Sequence, residues 1–214
     1  DPSAFVRPSP SGGSLGGVAR RTREAMLLVE AAGYDVVLIE TVGVGQSETA
    51  VADMVDVFCL LLSPAGGDEL QGIKRGIMEL ADMVIVNKAD GDMQMPAKRA
   101  QGEYRAALHL MRPKFEGWAP RVLLASALEG LGLDAIDEQI GRFYAHLEET
   151  HALKALREGQ AEAWMWSQIH ESLLDGFSAH EDVAKQLKSV SAAVRAGDMP
   201  AAKGAQQLLS AFGL

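Results

Sequence analysis

The sequence predicts an α/β fold: a mostly parallel sheet flanked by helices, followed by an all-helical C-terminal arm. Three observations lead there. Short apolar runs at 34–40, 55–63, 82–86 and 121–124 alternate with segments of helical period. Runs of this kind read as strands buried on both faces, the habit of parallel sheets. Three of them end in polar residues, at Glu40, Asn87 and Ser126, and open α/β sheets bind ligands at the carboxyl ends of their strands. Beyond about His146 the strand runs stop and only helical stripes remain.

Taken in order, residues 4–8 read as a short strand and 9–17 as a Gly/Ser/Pro loop. Residues 18–32 form a helix ended by Gly33 as C-cap. The run 34–40 is the next strand, and Gly43 and Gly45 follow in a loop whose backbone can approach a phosphate closely. A helix over 46–54 has Ser47 as candidate N-cap. Strand 55–63, a loop at 64–69 and a helix over 70–80 come next. Strand 82–86 runs directly into Asn87-Lys88-Ala89-Asp90, and a polar loop at 91–95 leads to a helix over 97–111. Ala100, Tyr104, Ala107 and Met111 share one face of it. A Pro/Trp linker at 113–120 precedes strand 121–124, which enters Ala125-Ser126-Ala127-Leu128. Leu133, Ile136, Ile140, Phe143 and Leu147 mark the last helix of this domain, expected to span 1–149.

The arm, 150–214, carries a stripe of Trp166, Ile169, Leu173 and Phe177 and a second of Val183, Leu187, Val190 and Val194. After a break at 197–200, a short helix holds Leu208, Leu209 and Phe212. Trp164 and Trp166, two apart, face different sides of the first of these helices. Three short helices bury little by themselves, so the expected cover for their apolar faces is a second copy of the chain, in a homodimer.

Composition narrows the function. With 214 residues and 48% hydrophobic content the chain can bury a real core. A net charge of −9 argues against nucleic acid and anionic membrane as partners. No apolar run is long enough to cross a bilayer, and the expected compartment is the cytoplasm. The single cysteine, Cys59, lies in an apolar run and reads as a buried inert thiol. His109, His146, His151, His170 and His180 show no metal-ligand spacing.

Asn87-Lys88-Ala89-Asp90 carries the sharpest chemistry. A carboxylate at Asp90 can accept both N1–H and the 2-amino group of guanine in a charge-assisted bidentate pair. Adenine offers neither donor, so it leaves the carboxylate unpaired. Asn87 can bridge neighbouring loops, and the Lys88 stem can lie over the base plane. A backbone N–H of Ser126-Ala127-Leu128 can meet the guanine O6. Acid–x–x–Gly at Glu40 to Gly43, then Asn-Lys-x-Asp, then Ser-Ala, each at a strand's carboxyl end, is the order used by GTP-binding proteins. Gly43-Val44-Gly45-Gln46-Ser47-Glu48 nearly matches a dinucleotide fingerprint, but Glu48 stands where that motif needs Gly or Ala.

With Glu40 to Glu48, Gly66 to Lys74 and Asn87 to Asp90 as they stand, the chain resembles the MeaB/ArgK family, GTPases that chaperone a cobalamin-dependent methylmalonyl-CoA mutase. Some members carry an older label, LAO/AO transport-system kinase. Phe5-Val6-Arg7-Pro8-Ser9-Pro10 and Trp164-Met165-Trp166 add to the resemblance, which extends over essentially the whole chain. It implies a P-loop NTPase type of sheet with a C-terminal dimerisation arm, GTP/GDP and Mg²⁺ as ligands, and methylmalonyl-CoA mutase as partner. Glu40 resembles the acid that holds Mg²⁺ through water, and Gly43 the γ-phosphate sensor; with Gln46 they form the expected catalytic set. Asn87, Lys88 and Asp90 resemble the guanine site, and Ser126, Ala127 and Leu128 its backing loop. Asp68, Glu69, Gln71 and Lys74 resemble a switch that relays nucleotide state to the mutase.

One departure is serious. No G-x-x-x-x-G-K-[ST] phosphate loop occurs in the sequence; in the family it precedes the position at which this chain opens, on Asp1 rather than Met. The expectation is a fragment that binds guanine nucleotide weakly at most and does not turn it over. The rival expectations are a nucleotide-free interaction and dimerisation module and, behind it, the kinase of the older label.

Overall fold

The computed structural model describes residues 3–8, 15–41, 47–64 and 75–214. Among them the chain packs as two compact units, residues 1–160 and 161–214.

In the first unit three parallel strands lie in the order β1 (Cys59–Leu62), β2 (Met83–Val86), β3 (Arg121–Leu124). The register aligns Leu60, Val84 and Val122 across the sheet, with Leu62, Val86 and Leu124 two residues on. All four residues of β2 are buried, as a central strand covered on both faces requires. Pleating sends alternate residues to opposite faces. Val84, Val86 and Val122 pack with Ala97, Tyr104 and Leu108 of one flanking helix. Met83 and Ile85 turn to the other face, where Ile136 and Ile140 lie.

The helices of this unit begin with α1 (Leu15–Ala31), α2 (Ser47–Ala52) and α3 (Arg75–Leu80). Gly33, at φ 93, ends α1: its N–H donates to Glu30 O and the Tyr34 N–H to Val29 O, the two bonds of a Schellman cap. A 3₁₀ turn at Gly91–Met93 leads into α4 (Gln94–His109), which starts three residues earlier than its apolar stripe implies. Pro96 is no obstacle, because in the first turn its missing N–H has no intrahelical acceptor to lose. α5 (Leu133–Glu149) closes the alternating pattern. The 113–120 segment is more than a linker: Phe115 and Trp118 pack on Phe143 of α5 at ring distances of 5.5 and 4.8 Å.

Two expected strands do not form. Residues 4–8 and 34–40 have no ladder partner, and Phe5, Val6, Val36 and Leu38 are exposed, Leu38 by 89%. An apolar run becomes a strand only where a neighbour pairs its backbone, and no such neighbour is present among the described residues.

α6 (Ala152–Ala179) enters the second unit. Its first turns belong to the first: Arg157 grips Asp56 with two bonds of 2.9 and 2.7 Å, and buried Gln160 donates to Val55 O at 2.9 Å. The Asp56 bond holds the Arg157 guanidinium above its ordinary pKa. In the second unit α7 (Glu181–Ala196) and α8 (Ala201–Phe212) pack through Val183, Val190 and Leu208. Gly204 makes their close approach possible: a Cβ there would lie 2.8 Å from Val194 Cγ2. Of the Trp166 stripe on α6, Phe177 packs on Phe212, whereas Trp166, Ile169 and Leu173 are exposed.

Candidate functional site

Because β2 and β3 are parallel and Val86 lies opposite Leu124, their following loops leave the sheet at the same edge. Backbone bonds carry the pairing past the strands. Ala125 N–H donates to Val86 O and Ala89 N–H to Ala125 O, each at 2.9 Å. Asn87 N–H donates to Leu62 O of β1, also at 2.9 Å.

Side chains then lock the two loops together. Asn87 Oδ1 accepts from Lys88 N–H at 2.8 Å and from Ala127 N–H at 3.1 Å, so one amide ties both loops. Lys88 sits at φ 57, a left-handed conformation that costs a non-glycine residue roughly 1–2 kcal/mol. Its bond to Asn87 Oδ1 offsets part of that cost, and its side chain is exposed. The Ser126 hydroxyl donates to Asp90 Oδ2. Ser126 is fully buried, and its oxygen accepts from Glu129 N–H at 3.1 Å. A carboxylate oriented in this way is a fixed acceptor for two donors on one edge of a planar base.

Within the loop after β3, Ser126 N–H donates to Leu131 O and Ala127 N–H to Asn87, while Glu129 N–H goes to Ser126 Oγ. Leu128, 88% exposed, has the one N–H of residues 126–129 without a partner among the described residues, which makes it the donor best placed for a base oxygen.

The structure thus brings together Asn87, Lys88, Asp90, Ser126, Ala127 and Leu128. Glu40 is exposed at the end of the unpaired 34–40 segment. Gly43, Gln46, Asp68, Glu69, Gln71 and Lys74 lie outside the described residues. Among the described residues no group of three or more His, Cys, Asp or Glu could cage a metal. A lone carboxylate such as Glu40 fits a hydrated Mg²⁺ held through its water, which suits an ion that dehydrates reluctantly.

Two features escape a reading of the sequence. Gly132, at φ 78 before α5, passes so close to Leu124 O that a Cβ would lie 2.2 Å from it. At the other end of β2, buried Asp82 accepts Phe58 N–H at 2.8 Å and faces Lys114 Nζ at 3.3 Å from each oxygen. Its carbonyl accepts the Trp118 indole N–H at 3.0 Å. Burial raises the Asp82 pKa, against the opposing pull of Lys114 and of the Phe58 N–H. Burial, with Asp82 adding to it, also pushes the Cys59 thiol up to about 11, so it stays protonated and inert at neutral pH.

Comparison with known proteins gives a consistent picture. A family model described as methylmalonyl Co-A mutase-associated GTPase MeaB matches residues 1–182. The methylmalonic aciduria type A homolog, mitochondrial, of Mus musculus is 49% identical over 99% of this chain and 51% of its own length. GTPase ArgK of Escherichia coli K12 is 47% identical over 96% of this chain and 62% of its own. A crystal structure of LAO/AO transport system kinase superposes with a TM-score of 0.79 at 42% identity, covering 99% of this chain and 66% of that one. The chain therefore spans between about half and two thirds of the length of these relatives. The parallel sheet with flanking helices is the P-loop NTPase type of fold shared with that structure.

Proposed function

The chain belongs to the family of methylmalonyl Co-A mutase-associated GTPases, MeaB, and from that premise we propose that it carries the guanine-recognising part and helical arm of a GTP-binding, GTP-hydrolysing chaperone of a cobalamin-dependent mutase. The observation that carries this reading is the joined pair of loops at the ends of β2 and β3, with the Ser126 hydroxyl on Asp90 and Asn87 bridging to Ala127. Asp90 accepts guanine N1–H and the 2-amino group. Ser126 holds the carboxylate in plane, Leu128 N–H meets O6, and the Lys88 stem covers the base. An adenine base leaves Asp90 desolvated and unpaired, which is the source of selectivity.

Turnover draws on more than this pair. In our reading Glu40 would hold Mg²⁺ through water, Gly43 is the γ-phosphate sensor, Gln46 belongs to the catalytic set, and Asp68, Glu69, Gln71 and Lys74 pass nucleotide state to the partner. When bound, Mg²⁺ would supply charge neutralisation to the phosphates of the nucleotide. The sequence has no G-x-x-x-x-G-K-[ST] cradle for those phosphates. The 214-residue chain by itself therefore binds guanine nucleotide weakly and does not hydrolyse GTP appreciably.

The family description, a methylmalonyl Co-A mutase-associated GTPase, supports a methylmalonyl-CoA mutase as partner. The arm from 150 onward makes a homodimer. Among the described residues no helix is long and apolar enough to cross a membrane, and a single half-buried cysteine suits a reducing compartment such as the cytoplasm. A second reading, a nucleotide-free interaction module, draws on the exposed apolar residues of α6. The kinase description of the structural neighbour has no counterpart in a kinase signature here.

Titration of the chain with GDP and ADP separates the readings. Guanine recognition requires measurable GDP binding and a clear preference over ADP. Equal affinities, or no GDP binding at millimolar concentration, would leave the interaction module.

A further inference from the structure

The loop after β3 has to do two things at once. It presents Ser126 Oγ to Asp90, and it returns the chain to start α5. It does so in a tight turn closed by two reciprocal backbone bonds, Ser126 N–H to Leu131 O at 2.9 Å and Leu131 N–H to Ser126 O at 3.1 Å. The next residue, Gly132, then crosses over the end of β3. A Cβ there would lie 2.2 Å from Leu124 O and 3.2 Å from Ala125 Cα, backbone atoms that cannot swing aside. Its carbonyl accepts Ile136 N–H at 3.1 Å and opens the first turn of α5.

We infer that Gly132 is a positioning residue for guanine recognition: by letting the chain lie directly on Leu124 O, it holds the Ser126–Leu131 turn shut and so keeps the Ser126 hydroxyl on Asp90. This rests on the guanine reading above. Any side chain at 132 lifts the backbone off Leu124, opens the Ser126–Leu131 pair and carries Ser126 away from the carboxylate. Asp90 then loses its fixed plane and with it the ability to engage N1–H and the 2-amino group together. Gly130, in the same turn, supplies the contrast. It too is left-handed, at φ 69, but a Cβ there meets nothing within 4 Å.

The same substitution at both positions therefore separates backbone conformation from space. Asn tolerates the left-handed region, so Gly130→Asn and Gly132→Asn differ in the collision with Leu124 O. The readouts are the ratio of GDP to IDP affinity, since IDP lacks the 2-amino group, and hydrogen exchange at the Ser126 and Leu131 amides without nucleotide. Gly132→Asn should cut the GDP/IDP ratio about tenfold, the scale of one hydrogen bond, and deprotect both amides. Gly130→Asn should preserve both. Should Gly132→Asn fail to fold, as judged by circular dichroism, Gly132→Ala, which keeps only the colliding Cβ, is compared with Gly130→Ala in the cold. An unchanged ratio and unchanged protection at 132, or equal losses at 130 and 132, would overturn the inference. If the unaltered chain does not prefer GDP to ADP, the guanine reading fails instead, and exchange at the two amides still decides whether Gly132 holds the turn.

Discussion

Asp82 offers a quantitative test of how the first unit is held together. It is 1% exposed and accepts the N–H of Phe58, itself buried. Truncation in Asp82→Ala orphans that N–H, at about 1–3 kcal/mol for an unsatisfied buried donor. The Lys114 ion pair adds little, because Lys114 is a quarter exposed and turns to water once its partner is gone. With the small cavity included, the expected loss is about 3 kcal/mol. Asp82→Asn keeps an acceptor for Phe58 and removes a charge that burial disfavours, so it should lie within about 1 kcal/mol of the parent at pH 7. The sign of the pH dependence follows from the raised pKa. A carboxyl whose folded value lies above its unfolded one contributes stability that is fully present below the unfolded value. That contribution is lost as pH rises through the folded value. The parent should therefore gain on Asp82→Asn as pH falls from neutral towards the ordinary carboxylate range. Urea unfolding of the three proteins at several pH values measures this. Asp82→Ala as stable as the parent, or a parent that gains on Asp82→Asn as pH rises, would refute the reasoning.

Gly204→Ala should destabilise the α7–α8 pair by about 1–3 kcal/mol through overpacking, since the added methyl meets Val194 at 2.8 Å and Val190 at 3.1 Å; thermal melting reads the loss, and an unchanged melt counts against the packing. Replacing Trp166 and Leu173, which are 50% and 58% exposed, with Ser should turn the proposed dimer into a monomer in light scattering. A parent chain already monomeric at micromolar concentration would remove the dimer.

What the sequence disclosed depended on how local the cause was. β2 was legible nearly to the residue, because a strand buried on both faces must be apolar throughout; β3 opens on exposed Arg121 and was legible from the apolar run that follows it. The run at 34–40 has the same composition yet forms no strand, because pairing depends on a neighbour and not on the run itself. Asn87, Asp90 and Ser126 were legible as a set because each follows a buried strand, and parallel strands bring their carboxyl ends together. Their linkage was not: Asn87 to Ala127 spans 40 residues and Ser126 to Asp90 spans 36. Lys114 looked like part of a Pro/Trp linker, and Asp82 like the first residue of a strand. Their pairing is tertiary and leaves no periodic trace. Gly132 did carry a signal, a glycine just before a helical stripe, but its meaning lies in the distance to Leu124 O.

Asp90 is the residue on which guanine recognition depends most directly. In Asp90→Asn the side chain offers an N–H where the carboxylate accepted one, and xanthine carries a 2-carbonyl where guanine carries the 2-amino group. Affinity for GDP should fall by roughly 3 kcal/mol, about a hundredfold, on losing a charge-assisted bidentate pair, while affinity for xanthosine diphosphate should rise. Titration calorimetry with both nucleotides makes the comparison, on parent and Asp90→Asn proteins that also carry the family's phosphate-binding loop so that the parent binds tightly enough for a hundredfold loss to be read. Unchanged GDP affinity together with no gain for xanthosine diphosphate would contradict guanine recognition by Asp90.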